Sequence, residues 1–171
     1  YYLYFGVTPA LTVFLPWAVL TGRELPCERA VAAQATLACW IGLAMLGVLR
    51  AEFFPRAGRL SLGVAALGFA LATAAPLTLR KSEFYEAAIT AGFLWGMAML
   101  LCATLAVRRE RRRTLWLACA SLCAGLAVAS RPNLLAGAVA VGAVLVWSAW
   151  RARRSAGESI RWRWLAAAVL P

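Results

Sequence analysis

Long apolar runs alternate with short charged stretches along this chain. Each run is close to the length, about 20 residues, with which an α-helix crosses the hydrocarbon core of a bilayer. The predicted spans are about 3–20, 30–49, 60–79, 87–107, 114–129 and 134–150, with the start of another at 164. The pattern therefore predicts an all-α, polytopic transmembrane helix bundle of about six spanning helices plus the start of a seventh, in which residues 1–171 form a single integral membrane domain.

The composition excludes an ordinary soluble domain. Hydrophobic residues make up 63% of the chain and charged residues 15%. Soluble domains contain roughly 45–50% apolar residues and about 25% charged residues. The mean hydropathy is +0.74. The chain begins at Tyr1 rather than at a Met and ends inside an apolar run, so we expect it to be an internal fragment of a longer protein.

Basic residues are concentrated in every second connection between the spans. Successive connections carry 2, 3, 2, 5, 1 and 5 Lys or Arg residues. By the positive-inside rule, the more basic connections are cytoplasmic and the intervening ones face the other side. The cytoplasmic connections are 50–59, 108–113 and 151–163, and the others are 21–29, 80–86 and 130–133. Topology and contact with anionic membrane lipid explain the net charge of +11, and no nucleic-acid partner is expected.

Two polar breaks fall on the side opposite to the basic connections. The first, 80–86, contains two of the seven acidic residues, Glu83 and Glu86. They are three positions apart at the start of a helix, with Ser82 as the predicted N-cap, so their carboxylates project from one side of the first turn. A structural interpretation is that they complement the helix dipole. A functional interpretation is that one of them acts as a general base or binds a divalent metal ion or a cationic group.

Arg131 is the basic residue of the second break, 130–133. Its guanidinium group offers a rigid fork that suits a phosphate. Two structural alternatives stay open: the side chain reaches towards lipid headgroups, or it pairs with Glu83 or Glu86. Pro132 suits the first turn of the helix that follows, so we expect a very tight turn at this point.

Short motifs at both breaks resemble a known family. The stretch FYEAA at 84–88 and the helix end GLAVASRPN at 125–133 resemble bacterial membrane glycosyltransferases of the GT-C type, and the likeness covers about residues 80–145. The resemblance implies a multi-helix transferase of the bacterial inner membrane. Such an enzyme takes a sugar from a polyprenyl-phosphate carrier on the extracytoplasmic side, which is the side on which both breaks are predicted to lie.

The polar residues at the breaks are the candidates for the site of such an enzyme. The candidate catalytic residues are Glu86 and Glu83, and the candidate substrate-binding residues are Arg131, Tyr85, Arg80 and Asn133. Arg131 would contact the carrier phosphate, and a glutamate would support the acceptor or a divalent metal ion. The family's catalytic acidic residue, often an Asp, lies in a large extracytoplasmic loop. This chain has no Asp and no such loop, so that residue would lie outside the chain, or the protein would be a non-catalytic relative.

Two other functional classes stay open. A transporter or flippase subunit would need more polar residues inside the membrane, and the strongly polar residues within 30–49 are Gln34 and Thr36. A structural or assembly protein would need no special role for Glu86. The chain has no His, and Cys119 and Cys123 share a helix face without a nearby carboxylate. We therefore assign no metal site to these residues and interpret the cysteines as packing residues.

Overall fold

The structure, a computed structural model, describes residues 6–73 and 84–156. Its regular elements over these ranges are helices, as the all-α prediction requires. A π-helical turn at Ala10–Phe14 leads into the first α-helix, and 3₁₀ turns at Glu110–Arg112 and Pro132–Leu134 precede the last two. The α-helices are α1 (Leu15–Thr21), α2 (Cys27–Phe53), α3 (Arg59–Ala72), α4 (Phe84–Arg108), α5 (Arg113–Ser130) and α6 (Leu135–Ala156).

Three of these helices are long and apolar enough to cross a membrane: α2, α4 over Tyr85–Arg108, and α5. The apolar segments Ala10–Thr21, Arg59–Ala72 and Pro132–Ser148 are shorter. The prediction of a helical chain with apolar spans is thus confirmed, whereas the count of about six spanning helices stays a prediction. The later part of the predicted third span, and the predicted start of a further helix at 164, lie outside the described residues.

Several helices extend beyond the apolar spans predicted for them, as α2 and α6 show. α2 begins at Cys27 rather than at Ala30, because Pro26 has a φ of −58° that suits a helix start, and its carbonyl oxygen accepts the N–H of Ala30 at 3.2 Å. α6 continues to Ala156, past the predicted end at Trp150. The alanines and arginines that follow are good helix formers, so the helix need not end where the apolar run ends.

α4 is the central helix: α2 and α5 pack along it, and α6 meets it over a shorter stretch. Two side-chain pairs at different heights show that α2 and α4 run parallel. Thr90 hydrogen-bonds to Gln34, and Arg108 forms an ion pair with Glu52. Both pairs are separated by 56 residues in the sequence, so the two helices keep one register over a rise of about 27 Å.

Most buried apolar side chains of the bundle are small, and many large apolar ones are exposed. Alanines supply most of the buried apolar side chains, such as Ala38 on α2 and Ala91 on α4, which are both 0% exposed. Leu20 and Leu60, by contrast, are 84% and 83% exposed. A soluble protein buries its large apolar residues, whereas helices in lipid approach one another closely through small ones. This distribution is typical of a membrane protein.

The segment before α2 packs against the end of α5. The Thr8 hydroxyl donates to the Leu126 carbonyl oxygen at 2.9 Å. Gly6 has a φ of 77°, and a Cβ at this position would lie 2.3 Å from the Ser130 carbonyl oxygen, so this close approach requires glycine. Pro9 and Pro16 lie on either side of the π-helical turn. Residues 1–5, where the first span was predicted to begin, lie outside the described residues.

Candidate functional site

The described residues of the two polar breaks meet at one end of the bundle. The Arg131 guanidinium carbon lies 4.6 Å from the centre of the Tyr85 ring. Tyr85 is in the first turn of α4, and Arg131 directly follows α5. The ion pair of Arg108 with Glu52 lies at the other end of α4. We call these the Arg131 end and the basic end. Residues of the two breaks therefore lie at one end of the bundle, and the basic connections 50–59 and 108–113 lie at the other. The alternating charge of the connections predicts this arrangement.

The Arg131 side chain lies along one stripe of α4. Tyr85, Ala88 and Gly92 are three and four residues apart, so they follow one another on one face of the helix. A Cβ on Gly92 would lie 3.8 Å from Cγ of Arg131, while the guanidinium group reaches Tyr85, about two turns nearer the helix start. The methylenes therefore pack on an apolar helix and the charge lies nearer the end of the bundle, as in a snorkelling arginine.

The backbone of Arg131 joins two helix ends. It is extended, with φ −149° and ψ 111°; its N–H donates to the Ala127 carbonyl oxygen at 3.0 Å, and its carbonyl oxygen accepts the N–H of Leu134 at 3.0 Å. A cation is favourable at the end of α5, and the N–H groups at the start of α6 favour an anion close by. The predicted tight turn, with Pro132 in the first turn of the following helix, is confirmed.

Gly92 makes room for the turn that carries Arg131. A Cβ on Gly92 would lie 3.0 Å from Cδ1 of Leu134 and 3.7 Å from Cβ of Ser130. A Cβ on Gly96, one turn farther along α4, would meet nothing within 4 Å. Gly92 therefore allows the residues between α5 and α6 to approach α4 closely, and Gly96 does not take part in this contact.

A buried polar pair lies one turn beyond Glu86. The Thr90 hydroxyl is 2.8 Å from Gln34 Oε1 and 2.9 Å from the Glu86 carbonyl oxygen. A hydroxyl has one hydrogen to donate, and in this arrangement the buried Gln34 Nε2 has no partner among the described residues. Exchanging the amide oxygen and nitrogen lets Nε2 donate to Thr90 and lets Thr90 donate to Glu86, so more of the donors are used. In both arrangements the pair joins α2 to α4.

Of the candidate site residues, the structure brings Arg131 and Tyr85 into contact. Glu86 follows Tyr85 in the first turn of α4 and is partly exposed, and Asn133 is exposed in the 3₁₀ turn after Arg131. The candidates Glu83 and Arg80 and the predicted cap Ser82 lie outside the described residues. The part of the predicted site that depends on two neighbouring carboxylates therefore stays a prediction.

The cysteines contribute to helix packing. All five are free thiols, and those of Cys102 on α4 and Cys123 on α5 lie next to each other. Over the ranges 6–73 and 84–156, the structure contains no group of three or more His, Cys, Asp or Glu side chains that could hold a metal ion.

Comparisons with protein-family models, with curated proteins and with solved structures give no match for this chain. The resemblance of two short motifs to GT-C transferases therefore rests on those motifs. The residues that the structure brings together are the remaining guide to function.

Proposed function

We propose that the Arg131 end binds the phosphate of a polyprenyl-phosphate-linked sugar and that the protein acts as a GT-C-like membrane glycosyltransferase. The observation that carries this proposal is the contact of the Arg131 guanidinium group with Tyr85, at 4.6 Å, at the end of a bundle of apolar helices. A lipid-linked phosphate has to be bound at such a place, because its chain stays in the hydrocarbon core while its charged head stays in the interfacial region.

The contact with Tyr85 suits phosphate binding. A ring packed on the face of a guanidinium group leaves the N–H groups in its plane available. Those donors fit two phosphate oxygens in a bidentate arrangement. The 3₁₀ turn after Arg131 leads into α6, and the backbone N–H groups and positive dipole end at the start of α6 favour an anion nearby.

Glu86 is the candidate base in this proposal. It lies in the first turn of α4, next to Tyr85. A carboxylate there would accept the proton of an acceptor hydroxyl, or would help to hold a divalent ion that offsets the charge of the phosphate. Tyr85, which is 48% exposed, and the exposed Asn133 would line the approach of the sugar. Glu83 stays a candidate catalytic residue and Arg80 a candidate substrate-binding residue.

The proposed orientation follows from charge. Arg109, Arg111 and Arg112 are exposed at the basic end, so the positive-inside rule makes this end cytoplasmic and the Arg131 end extracytoplasmic. In a bacterial inner membrane, the site would then lie on the side where the resemblance places the use of lipid-linked sugars.

A non-catalytic structural role is the second candidate. It is favoured by the polar groups near the Arg131 end that bond within the protein, such as Thr90 to Gln34 at 2.8 Å and the Ser130 hydroxyl to the Leu126 carbonyl oxygen at 2.8 Å. In that role the contact of Arg131 with Tyr85 would only hold α4 against the end of α5, and the loss of Arg131 would lower stability without any effect on a ligand.

Polyprenyl-phosphate binding and sugar transfer from a polyprenyl-phosphate donor, both measured on the full-length protein in detergent, distinguish the two roles. Arg131→Lys keeps the charge but loses the planar fork, so we expect binding on the order of tenfold weaker, with unchanged thermal stability. Arg23→Lys is the matched control, because Arg23 is exposed in the connection before α2. This control should bind as the unmodified protein does.

Glu86→Gln separates catalysis from binding. Sugar transfer should fall while polyprenyl-phosphate binding persists, because the amide cannot accept the proton. A loss of thermal stability in Arg131→Ala and Arg131→Lys without a change in binding would favour the structural role. Binding and transfer at the unmodified level in Arg131→Ala would refute the proposed function.

A further inference from the structure

An apolar groove lies between α4 and α6, on the side of the bundle nearer the basic end. Its volume is about 300 Å³. One wall is the stripe of α4 from Leu100 to Val107, and the other is the stripe of α6 from Ala140 to Leu145. The one hydroxyl in the walls, that of Thr104, donates to the Leu100 carbonyl oxygen at 2.8 Å. The groove therefore presents apolar surface.

The groove follows from the way in which α6 meets α4. The start of α6 lies close to α4 because Gly92 has no side chain, so that a Cβ there would lie 3.0 Å from Leu134. About three turns farther along α4, Ala103 lines the groove, and Ala140 lines it from α6. These small side chains do not fill the space between the helices. An apolar gap of this kind in a membrane protein is filled by lipid or by another apolar segment, because water is absent from the hydrocarbon core.

Positive charge follows the α4 wall of the groove in the sequence. Val107, the last residue of the α4 wall, is followed by Arg108 and then by Arg109, Arg111 and Arg112, which are exposed. We propose that the groove binds one acyl chain of an anionic phospholipid whose phosphate lies on these exposed arginines. The chain lies along α4 over about 10 Å, from Val107 to Leu100. Basic pockets next to helices on the cytoplasmic side are sites for anionic headgroups.

The shape of the groove suits an acyl chain. The groove runs along α4 over about 10 Å, from Val107 to Leu100, and a flexible chain can lie in it with α4 and α6 in place. The neighbouring arginines favour an anionic lipid over a neutral one.

Native mass spectrometry of the full chain in detergent tests the proposal. The protein is exposed to phosphatidylglycerol or to phosphatidylcholine with the same acyl chains, and retained lipids are counted. We expect one retained phosphatidylglycerol, bound on the order of tenfold more tightly than phosphatidylcholine. Joint neutralisation by Arg109→Gln, Arg111→Gln and Arg112→Gln should remove this preference. Ala140→Phe, which fills the groove, should remove the retained lipid with every charge in place.

Val139→Phe is the matched control, because Val139 is 62% exposed on α6 and is not part of the groove walls. This variant should retain the lipid. Equal retention of the two lipids, or unchanged retention in Ala140→Phe, would overturn the proposal. A dimer that Ala140→Phe dissociates in the absence of bound lipid would also overturn it, because a second copy would then be the occupant. If the triple arginine variant fails to insert, Ala140→Phe and Val139→Phe decide the question alone.

Discussion

The hydrogen bond between Gln34 and Thr90 leads to an asymmetric prediction about stability. The two side chains join α2 to α4 and are 3% and 2% exposed. Thr90→Val removes the hydroxyl with little change of shape and leaves the Gln34 amide buried without this partner. Gln34→Leu removes the amide, but the Thr90 hydroxyl keeps an acceptor on its own helix, the Glu86 carbonyl oxygen at 2.9 Å.

The magnitudes follow from the cost of a buried polar group without a partner. Such a group costs about 1–3 kcal/mol, whereas interhelical hydrogen bonds in membranes contribute about 0.6 kcal/mol on average and about 1.7 at most. We expect Thr90→Val to lower the free energy of unfolding by about 1–2 kcal/mol and Gln34→Leu to lower it by less than about 1. The double variant should lose less than the sum, because Gln34→Leu removes the amide that Thr90→Val leaves without a partner.

The assay is unfolding in mixed micelles titrated with a denaturing detergent, for both single variants and the double variant. Thr104→Val is the control on the same helix, because the Thr104 hydroxyl bonds to the Leu100 carbonyl oxygen of α4 itself at 2.8 Å. We expect this control to change stability by no more than about 0.5 kcal/mol. Additive effects of the two changes, or a Thr90→Val effect as small as that of the control, would refute the reasoning.

Two further predictions concern packing at the Arg131 end and topology. Gly92→Leu should lower the melting temperature in detergent, because even a Cβ there would lie 3.0 Å from Leu134. Gly96→Leu is the control and should keep the melting temperature, because a Cβ there meets nothing within 4 Å. Equal melting temperatures of the two variants would contradict this packing. In a protein without native cysteines, Asn133→Cys should react with a membrane-impermeant thiol reagent in intact cells and Arg111→Cys should not, and the opposite pattern would invert the proposed orientation.

The helical bundle could be predicted because apolar length is a local property of the sequence. The alternation of charge also predicted that the basic connections 50–59 and 108–113 lie at the same end of the bundle. The ion pair of Arg108 with Glu52 agrees with this prediction. Helix boundaries could not be predicted equally well from hydropathy. At Pro26 and beyond Trp150, helical structure continues through charged residues, because helix propensity does not depend on the apolar character of a residue.

The contacts of the candidate site could be predicted only in part. The sequence predicted that Arg131 lies at the same end of the bundle as the first polar break, and its contact with Tyr85 agrees with this. The sequence left open whether Arg131 binds a phosphate, lipid headgroups or a glutamate, and it did not predict the contact with the tyrosine ring. Gln34 stood out as a polar residue in an apolar span, yet Thr90, its partner, is 56 residues away. Contacts of this kind depend on the relative rotation and register of two helices, and the pattern of one helix does not determine either of them.

The register of α2 against α4 is set by two polar pairs rather than by the alanines between them. Lipid tails are as apolar as the side chains, so burial gives little preference for one register over another. A slip by one helical turn, about 5.4 Å, would replace one alanine contact by a similar one. The same slip would separate Gln34 from Thr90 and Glu52 from Arg108 at once, because both pairs have the same separation of 56 residues. The polar pairs therefore select the register, and the alanines let the two helices approach closely enough for the pairs to form.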